Sequence, residues 1–179
     1  EFIKEENDYS IVQCIKKALE FLDLNGSSDN WFLQLECFDP HEPFFAPERF
    51  RKFYPTGYNG PVLNWPKYQK VLEAEKEVEE IRANYAALVS MCDEYFGKIL
   101  DYFDEKNLWE DTALIVSTDH GFMLAEHGWW AKSRMPFYEE ISHIPLMISH
   151  PDFKNEFGSR RKSLTQTIDL MPTILDINN

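Results

Sequence analysis

The sequence is poor in cysteine and lacks long apolar runs, and both shortages exclude whole classes of protein. Its 179 residues include only Cys14, Cys37 and Cys92, and no two of them form a C-x-x-C pair. We therefore expect structural thiols rather than a disulfide framework or a zinc site made of cysteines. No apolar stretch reaches the roughly 18 residues that a transmembrane helix needs, so no membrane span is predicted.

Basic residues are scarce as well. The chain carries 18 Lys and Arg against 31 Asp and Glu, and its formal net charge is −13. This balance argues against nucleic-acid binding, which needs basic surface to displace counterions. An anionic ligand would have to be attracted by local positive groups rather than by the field of the whole protein. The H-E-x-x-H, G-x-S-x-G, Walker and G-x-G-x-x-G motifs are also missing.

The first ten residues, EFIKEENDYS, show neither a basic segment followed by an apolar one nor an initial Met. No signal peptide is visible, and we interpret the chain as a processed protein or an excised piece. The sequence leaves localisation open. The cytoplasm is slightly favoured over export, because three unpaired cysteines suit a reducing compartment.

The residues that are present predict one globular α/β domain over positions 1–179. Hydrophobic residues make up 44% of the chain and aromatic residues 15%, which is enough for a sizeable core. Apolar spacing predicts helices over Tyr9–Leu24, Lys67–Lys106 and 166–177. Apolar runs predict strands at 31–38, 112–118 and 144–150. This order predicts a largely parallel or mixed sheet between helices, with the 112–118 strand buried on both faces.

Polar side chains follow two of the predicted strands. Asp39 and His41 follow the strand at 31–38, and four further groups come after the strand at 112–118: Asp119, His120, His127 and Lys132. Ligands of open α/β sheets bind beyond the carboxyl ends of the strands, so these groups could converge on one site. Two alternatives stay open, namely that the Asp-His pair only caps a turn and that the first His is an ordinary loop residue.

The chemistry of these groups indicates a site for sulfate or phosphate esters. Asp119 supplies a hard oxygen and His120 a borderline nitrogen, and both could reach one divalent cation, although two ligands do not complete its coordination. The ammonium of Lys132 suits an anionic oxygen. His41 and His127 could donate to a tetrahedral oxyanion or protonate a leaving group.

Four blocks carry a resemblance to a known family: LECFDPHEPFFAPERF, ANYAALVSMCDEYFGKILDYFDEKNLWEDTALIVSTDHGFMLAEHGWWAK, HIPLMI and QTIDLMPTILDI. Together they resemble the C-terminal part of the sulfatase catalytic domain, in the alkaline phosphatase superfamily. The similarity runs in order from about residue 8 to residue 177. Its most specific parts are the DPHEPF block and the TDHG, EHG and WAK blocks at their separations. The resemblance implies an alkaline phosphatase-like fold, of which this chain would be a part.

The resemblance also implies roles for individual residues. Asp119 and His120 match two ligands of the family's single cation, for which calcium is favoured and manganese or magnesium are alternatives. Lys132 matches the lysine that binds the ester oxygens and helps the leaving group depart. His41 matches a histidine that contacts the sulfate or phosphate group.

Two further residues are candidates for substrate contact by the same resemblance. His127 lies in the block that matches EHG, and Arg134 follows the block that matches WAK, although a structural salt bridge is the favoured interpretation for the arginine. The implied substrate is a small-molecule or sugar sulfate ester, with no nucleic-acid partner and no membrane span. The oligomeric state is not predicted.

The sequence departs from the family pattern in one important respect. Sulfatases make a formylglycine nucleophile from Cys or Ser in a C-x-P-x-R motif, and no Cys or Ser of this chain begins that pattern. The family's early Asp-Asp metal pair is absent too. We expect both in an N-terminal segment that this chain lacks, so residues 1–179 alone should be inactive. A phosphonate monoester or phosphodiester hydrolase of the same superfamily and a non-catalytic sulfatase-like binding module remain as alternatives.

Overall fold

The computed structural model describes residues 3–177, which contain both helices and strands. The α-helices are α1 Ser10–Asn25, α2 Glu48–Arg51, α3 Glu75–Lys106, α4 Glu139–Ser142 and α5 Leu170–Ile177. The strands are β1 Leu114–Ser117, β2 Met123–Leu124, β3 Trp130–Ala131 and β4 Leu146–Ser149. Short 3-10 turns occupy Glu6–Asp8, Leu108–Glu110, Glu126–Gly128, Pro151–Glu156 and Thr167–Asp169. The predicted α/β class and the predicted first and last helices are confirmed.

The core is formed by the apolar faces of α1 and α3, which pack on each other. The buried residues of α1 recur at the spacing of one helical face and include Ile11, Ile15 and Leu22. In α3 the same spacing buries a longer row: Ile81, Leu88, Met91, Tyr95, Ile99 and Phe103. Because both rows face inwards, the two helices form a rigid support for the loops that follow residues 38 and 117.

Helix α3 begins at Glu75, so the predicted helical start at residue 67 was wrong by about two turns. Residues 67–74 instead lie beside the loop before β3, where the Val71 N–H donates to the Gly128 carbonyl at 2.9 Å. Backbone bonds to a distant loop replace the bonds that a helix would make within itself. At its other end α3 stops at Asn107, a C-cap residue in the left-handed conformation with φ of 57°.

The strands form two antiparallel pairs. β1 pairs with β4, and Leu114 lies opposite Ser149, while β2 and β3 form a short second pair. The predicted strands within 112–118 and 144–150 are confirmed, but the expected parallel pairing does not hold for the strands described. A parallel connection needs a crossover, usually a helix that returns along the sheet, and the four residues of α4 are too few for one.

β1 was predicted to be buried on both faces, and this prediction was wrong. Its residues are half-buried or exposed, and in β4 the side chains of Met147 and Ile148 are 56% and 48% exposed. Among residues 3–177, β4 is the strand that pairs with β1. A β-branched apolar run indicates a strand that prefers buried surroundings, but it does not identify the segment that packs against the strand.

Residues 31–38 form no strand within the described chain, so this strand prediction was wrong. Their side chains alternate strictly: Trp31 and Leu33 pack against the core, whereas Phe32 and Phe38 are 62% and 59% exposed. The alternation is that of a strand with one buried face. A strand also needs a hydrogen-bonded neighbour, and residues 3–177 place none beside this segment.

The helices of the described residues are not membrane spans. None of them combines sufficient length with sufficient apolar character to cross a bilayer. This finding agrees with the absence of a long apolar run from the sequence.

Candidate active site

The side chains of His41 and Lys132 meet although 91 residues separate them in the sequence. Lys132 Nζ lies 3.0 Å from His41 Nε2. His41 belongs to the proline-bounded loop after residue 38, and Phe38 packs against its imidazole with ring centroids 4.4 Å apart. The imidazole remains 32% exposed and Lys132 is half-buried, so a small anion can reach both groups.

Lys132 lies in a loop whose backbone is held in an unusual conformation. Ala131 and Ser133 on either side of it have positive φ values of 69° and 78°. Side chains other than glycine enter this left-handed region at an energetic cost, which surrounding contacts must offset. One such contact comes from the fully buried Trp130, whose indole N–H donates to Glu73 at 2.7 Å.

Asp119 and His120 follow β1 after a single residue and lie against each other. The His120 N–H donates to Asp119 Oδ1 at 2.8 Å, and His120 Nε2 lies 3.3 Å from Asp119 Oδ2. The loss of some hydration raises the pKa of Asp119, but the His120 N–H and the nearby imidazole charge lower it more. The pKa of Asp119 therefore lies below its ordinary value, and its side chain, 80% exposed, presents a carboxylate to solvent.

Gly121 fixes the turn that carries this pair. Its N–H donates to the Ile141 carbonyl at 2.9 Å, and a Cβ at this position would lie 1.7 Å from the carbonyl oxygen of Glu140. No residue with a side chain fits such an approach. The Asp-His pair is thus anchored to α4 through glycine backbone.

The structure brings the predicted residues together as two pairs and not as one contacting cluster. Within residues 3–177 no hydrogen bond or ion pair joins His41 or Lys132 to Asp119 or His120. Nor do three or more His, Cys, Asp or Glu side chains of this part of the chain form a group that could hold a metal. Two cavities, of about 300 and 330 Å³, lie elsewhere, beside α2 and the start of α3.

The two proposed substrate-contact residues have different surroundings. The His127 imidazole stacks on Tyr138 with centroids 4.0 Å apart, and its Nε2 lies 3.3 Å from Glu140 Oε1. Arg134 is exposed and forms no ion pair within residues 3–177, so the salt bridge that was the favoured interpretation is not seen there. His127 is therefore held in place, and the guanidinium is available to a ligand.

Asp39, which was predicted to lie beside His41, serves the fold. Its Oδ2 accepts a hydrogen bond from the Ile11 N–H at 2.9 Å, at the first turn of α1. Burial raises the pKa of Asp39 above its ordinary value, and the Ile11 N–H offsets part of that effect. This bond ties the loop that carries His41 to the N-terminus of α1.

Comparison with known proteins identifies the family of the chain. The family model described as Sulfatase matches residues 2–179. This chain belongs to the sulfatase family. The multifunctional alkaline phosphatase superfamily protein PehA of Trinickia caryophylli is 33% identical to this sulfatase-family chain over 189 residues, covering 90% of the chain and 36% of PehA. Choline-sulfatase of Rhizobium meliloti (strain 1021) is 28% identical, covering 82% of the chain and 31% of that protein.

A solved structure shows the same fold. Phosphonate monoester hydrolase SpPMH from Silicibacter pomeroyi superimposes with a TM-score of 0.76 at 24% sequence identity, covering 97% of this sulfatase-family chain and 38% of the hydrolase. The predicted alkaline phosphatase-like fold is thereby confirmed, as part of a larger domain. The sulfatase-family chain spans about a third of the length of the curated relatives it matches.

Sequence reasoning missed two residues that contact the candidate site residues or their direct neighbours. Glu73 belongs to an acidic stretch that predicts a solvated helical face, yet it binds the indole of Trp130 beside Lys132. Glu42, within the DPHEPF block, is buried to 2% exposure next to His41. The available signal was a carboxylate directly beside a histidine and between two prolines, where neither helix nor central strand can form.

Proposed function

We propose that this sulfatase-family chain carries half of the active site of a metal-dependent sulfate ester hydrolase. The observation that carries the proposal is the 3.0 Å contact between Lys132 Nζ and His41 Nε2, two partly exposed groups of the predicted site. Family membership and similarity to a protein named choline-sulfatase support sulfate esters as substrates. The alcohol part of the ester, whether a sugar or another small molecule, stays open.

In this proposal Lys132 donates to the anionic group of the ester, and His41 holds the Lys132 ammonium in position beside that group. An ammonium has three N–H donors, and one of those on Lys132 points to the imidazole, which leaves two for ester oxygens. Such prepositioned donors stabilise charge that develops on the ester oxygen as the bond breaks, at about 3–4 kcal/mol for each in comparable sites. Arg134 and His127 are proposed to contact the rest of the substrate.

The donor chemistry of Asp119 and His120 fits one divalent cation, with calcium favoured and manganese or magnesium as alternatives. A carboxylate oxygen and an imidazole nitrogen 3.3 Å apart are compatible ligands, and the remaining ligands must come from other residues. Such a cation supplies positive charge to the ester oxygens. The nucleophile is proposed to be a formylglycine from a segment other than residues 1–179.

A second candidate is a phosphonate monoester or phosphodiester hydrolase. The similarity to PehA favours it, because that relative is named as a multifunctional member of the alkaline phosphatase superfamily. The same ammonium, imidazoles and cation ligands suit a phosphoryl group. A non-catalytic binding module is the third candidate and would bind an ester without cleaving it.

The test measures hydrolysis of an aryl sulfate and an aryl phosphonate monoester by the complete polypeptide that contains this chain. The parent is compared with Lys132→Ala and with Lys17→Ala, whose side chain is 78% exposed in α1 and serves as the control. We expect the first change to lower kcat/KM by about 10²–10³-fold and the second to leave it within twofold. Calcium, manganese and magnesium are added separately after treatment with a chelator.

Each outcome separates the candidates. A higher rate on the sulfate supports the proposal, and a higher rate on the phosphonate supports the second candidate. Binding without turnover of either ester supports the third. Unchanged rates in Lys132→Ala would refute the proposed role of this residue in either hydrolase.

A further inference from the structure

Glu42 is a buried carboxylate that the proposed mechanism does not use. It is 2% exposed, although a carboxylate is rarely buried without a partner. The hydroxyl of Tyr68 donates to one oxygen, Oε1. The other oxygen, Oε2, accepts no hydrogen bond from residues 3–177. A buried oxygen in this situation calls for a functional or structural explanation.

The group nearest to that oxygen is the imidazole of His41. Oε2 of Glu42 lies 3.2 Å from His41 Nδ1, and the backbone carbonyl of Glu42 lies 2.8 Å from the same nitrogen. Both neighbours are acceptors. A bare lone pair on Nδ1 would face two oxygens and be repelled by both, whereas an N–H would be attracted by both.

The other ring nitrogen has the opposite surroundings. Lys132 Nζ, which can only donate, lies 3.0 Å from His41 Nε2. The neutral imidazole has one N–H and one acceptor nitrogen, so a proton on Nδ1 leaves Nε2 free to accept from the ammonium. The contacts on both sides of the ring therefore require the same tautomer.

We propose that Glu42 is a positioning residue, whose buried carboxylate fixes the Nδ1–H tautomer of His41 and thereby directs Nε2 at Lys132. Glu42 acts through the imidazole and does not touch the substrate. The tautomer of His41 is inferred from contacts alone, whereas its importance for catalysis rests on the proposed function.

Tyr68 holds the carboxylate in this orientation. Its hydroxyl occupies Oε1 and so leaves Oε2 on the side of His41. Desolvation, followed by the hydrogen bond to Glu42 and the charge of Glu42, raises the pKa of Tyr68 to about 12. The phenol therefore stays a donor across the range of pH in which the protein would work.

The experiment determines the tautomer of His41 by long-range ¹H–¹⁵N spectroscopy of ¹⁵N-labelled protein at pH 7. A His41→Gln variant assigns the ring signals. We expect the parent to show Nδ1 as the protonated nitrogen and Nε2 as the unprotonated one. Glu42→Leu should shift the two ¹⁵N signals towards each other, while Glu42→Gln, which keeps an acceptor oxygen, should preserve the pattern of the parent.

A second His-Glu pair provides the matched control. His143 Nδ1 lies 2.8 Å from Glu139 Oε2, and both side chains are at least 80% exposed. Glu139→Leu should leave the His41 signals unchanged, because this exposed pair is weak and, within residues 3–177, forms no hydrogen bond or ion pair with His41. An Nε2–H or a doubly protonated His41 in the parent would overturn the proposal even if no Glu42 variant folds. Unchanged His41 signals in folded Glu42→Leu would overturn it as well.

The spectra need no ester, so the two proposals fail separately. Loss of the expected tautomer refutes the role of Glu42, whatever the protein hydrolyses. Failure to hydrolyse or bind either ester refutes the proposed function and leaves the tautomer result intact.

Discussion

Replacement of Gly121 by alanine should destabilise the protein through a clash that no side-chain movement can relieve. The new Cβ would lie 1.7 Å from the Glu140 carbonyl oxygen and 3.3 Å from the Cα of Ile141, and all of these atoms except the Cβ belong to the backbone. To reach the 3.0 Å at which real contacts begin, the turn must move by about 1.3 Å. That movement also breaks the bond from the Gly121 N–H to the Ile141 carbonyl.

Two terms give the magnitude of the effect. Overpacking at a rigid contact costs about 1–3 kcal/mol, and the lost backbone hydrogen bond adds about 1 kcal/mol. Gly121→Ala should therefore lower the free energy of unfolding by about 2–4 kcal/mol. Gly97→Ala is the matched control, since Gly97 lies inside α3 and a Cβ there would meet no neighbouring group within 4 Å. At this position alanine should raise the free energy of unfolding by about 0.5–1 kcal/mol.

Urea unfolding followed by tryptophan fluorescence measures both variants, and five tryptophans provide the signal. Equal m-values in the three proteins would show that the midpoints report stability. If Gly121→Ala unfolds within about 0.5 kcal/mol of the parent while Gly97→Ala is stabilised, the steric argument for this turn is refuted.

Two further predictions concern named contacts. Arg49 donates to Glu6 and holds the pKa of Glu6 at about 2, below its ordinary value of 4.5. The stabilisation that this ion pair gives to the folded protein is therefore present above about pH 4.5 and is lost as the pH falls towards 2. Because these side chains are 44% and 30% exposed, we expect Arg49→Ala to lower the free energy of unfolding by only about 1–2 kcal/mol at pH 7 and by little at pH 2.5. An equal decrease at both pH values would contradict this. Trp130→Phe removes the indole donor from Glu73 and should lower the free energy of unfolding by about 2 kcal/mol. Trp65→Phe, at a site 61% exposed, is the control and should change it by no more than about 0.5 kcal/mol. Similar urea midpoints for both variants would contradict a stabilising role of the Trp130–Glu73 hydrogen bond.

The helices of this fold could be predicted because their information is local. Residues three and four apart share a face, so the apolar spacing of α1 and α3 identified both helices without knowledge of their neighbours. The start of α3 could not be placed in the same way. Val71 fits the helical spacing, but its N–H is used by Gly128, 57 residues away in the sequence, and no local pattern records such a bond.

Strand pairing and the site contacts depend on still more distant residues. The apolar run at residues 31–38 predicted a strand, and one face of this segment is half-buried, but pairing requires a neighbouring strand that the run does not specify. Likewise, the chemistry of His41 and Lys132 predicted a common site, and the structure supplies their 3.0 Å separation. The role of Glu42 emerged only from burial, since a glutamate in a loop is usually a solvated residue.

The left-handed residues on either side of Lys132 restrict which substitutions a mutant library can accept there. At φ values of 69° and 78°, Val, Ile and Thr clash with their own backbone, whereas Gly, Asn and Asp adopt this conformation most readily. Alternative amino acids at positions 131 and 133 should therefore come from a narrow set, even though neither side chain bears charge. Selection for catalysis would thus act on the backbone conformation at positions 131 and 133 as well as on the side chain of Lys132.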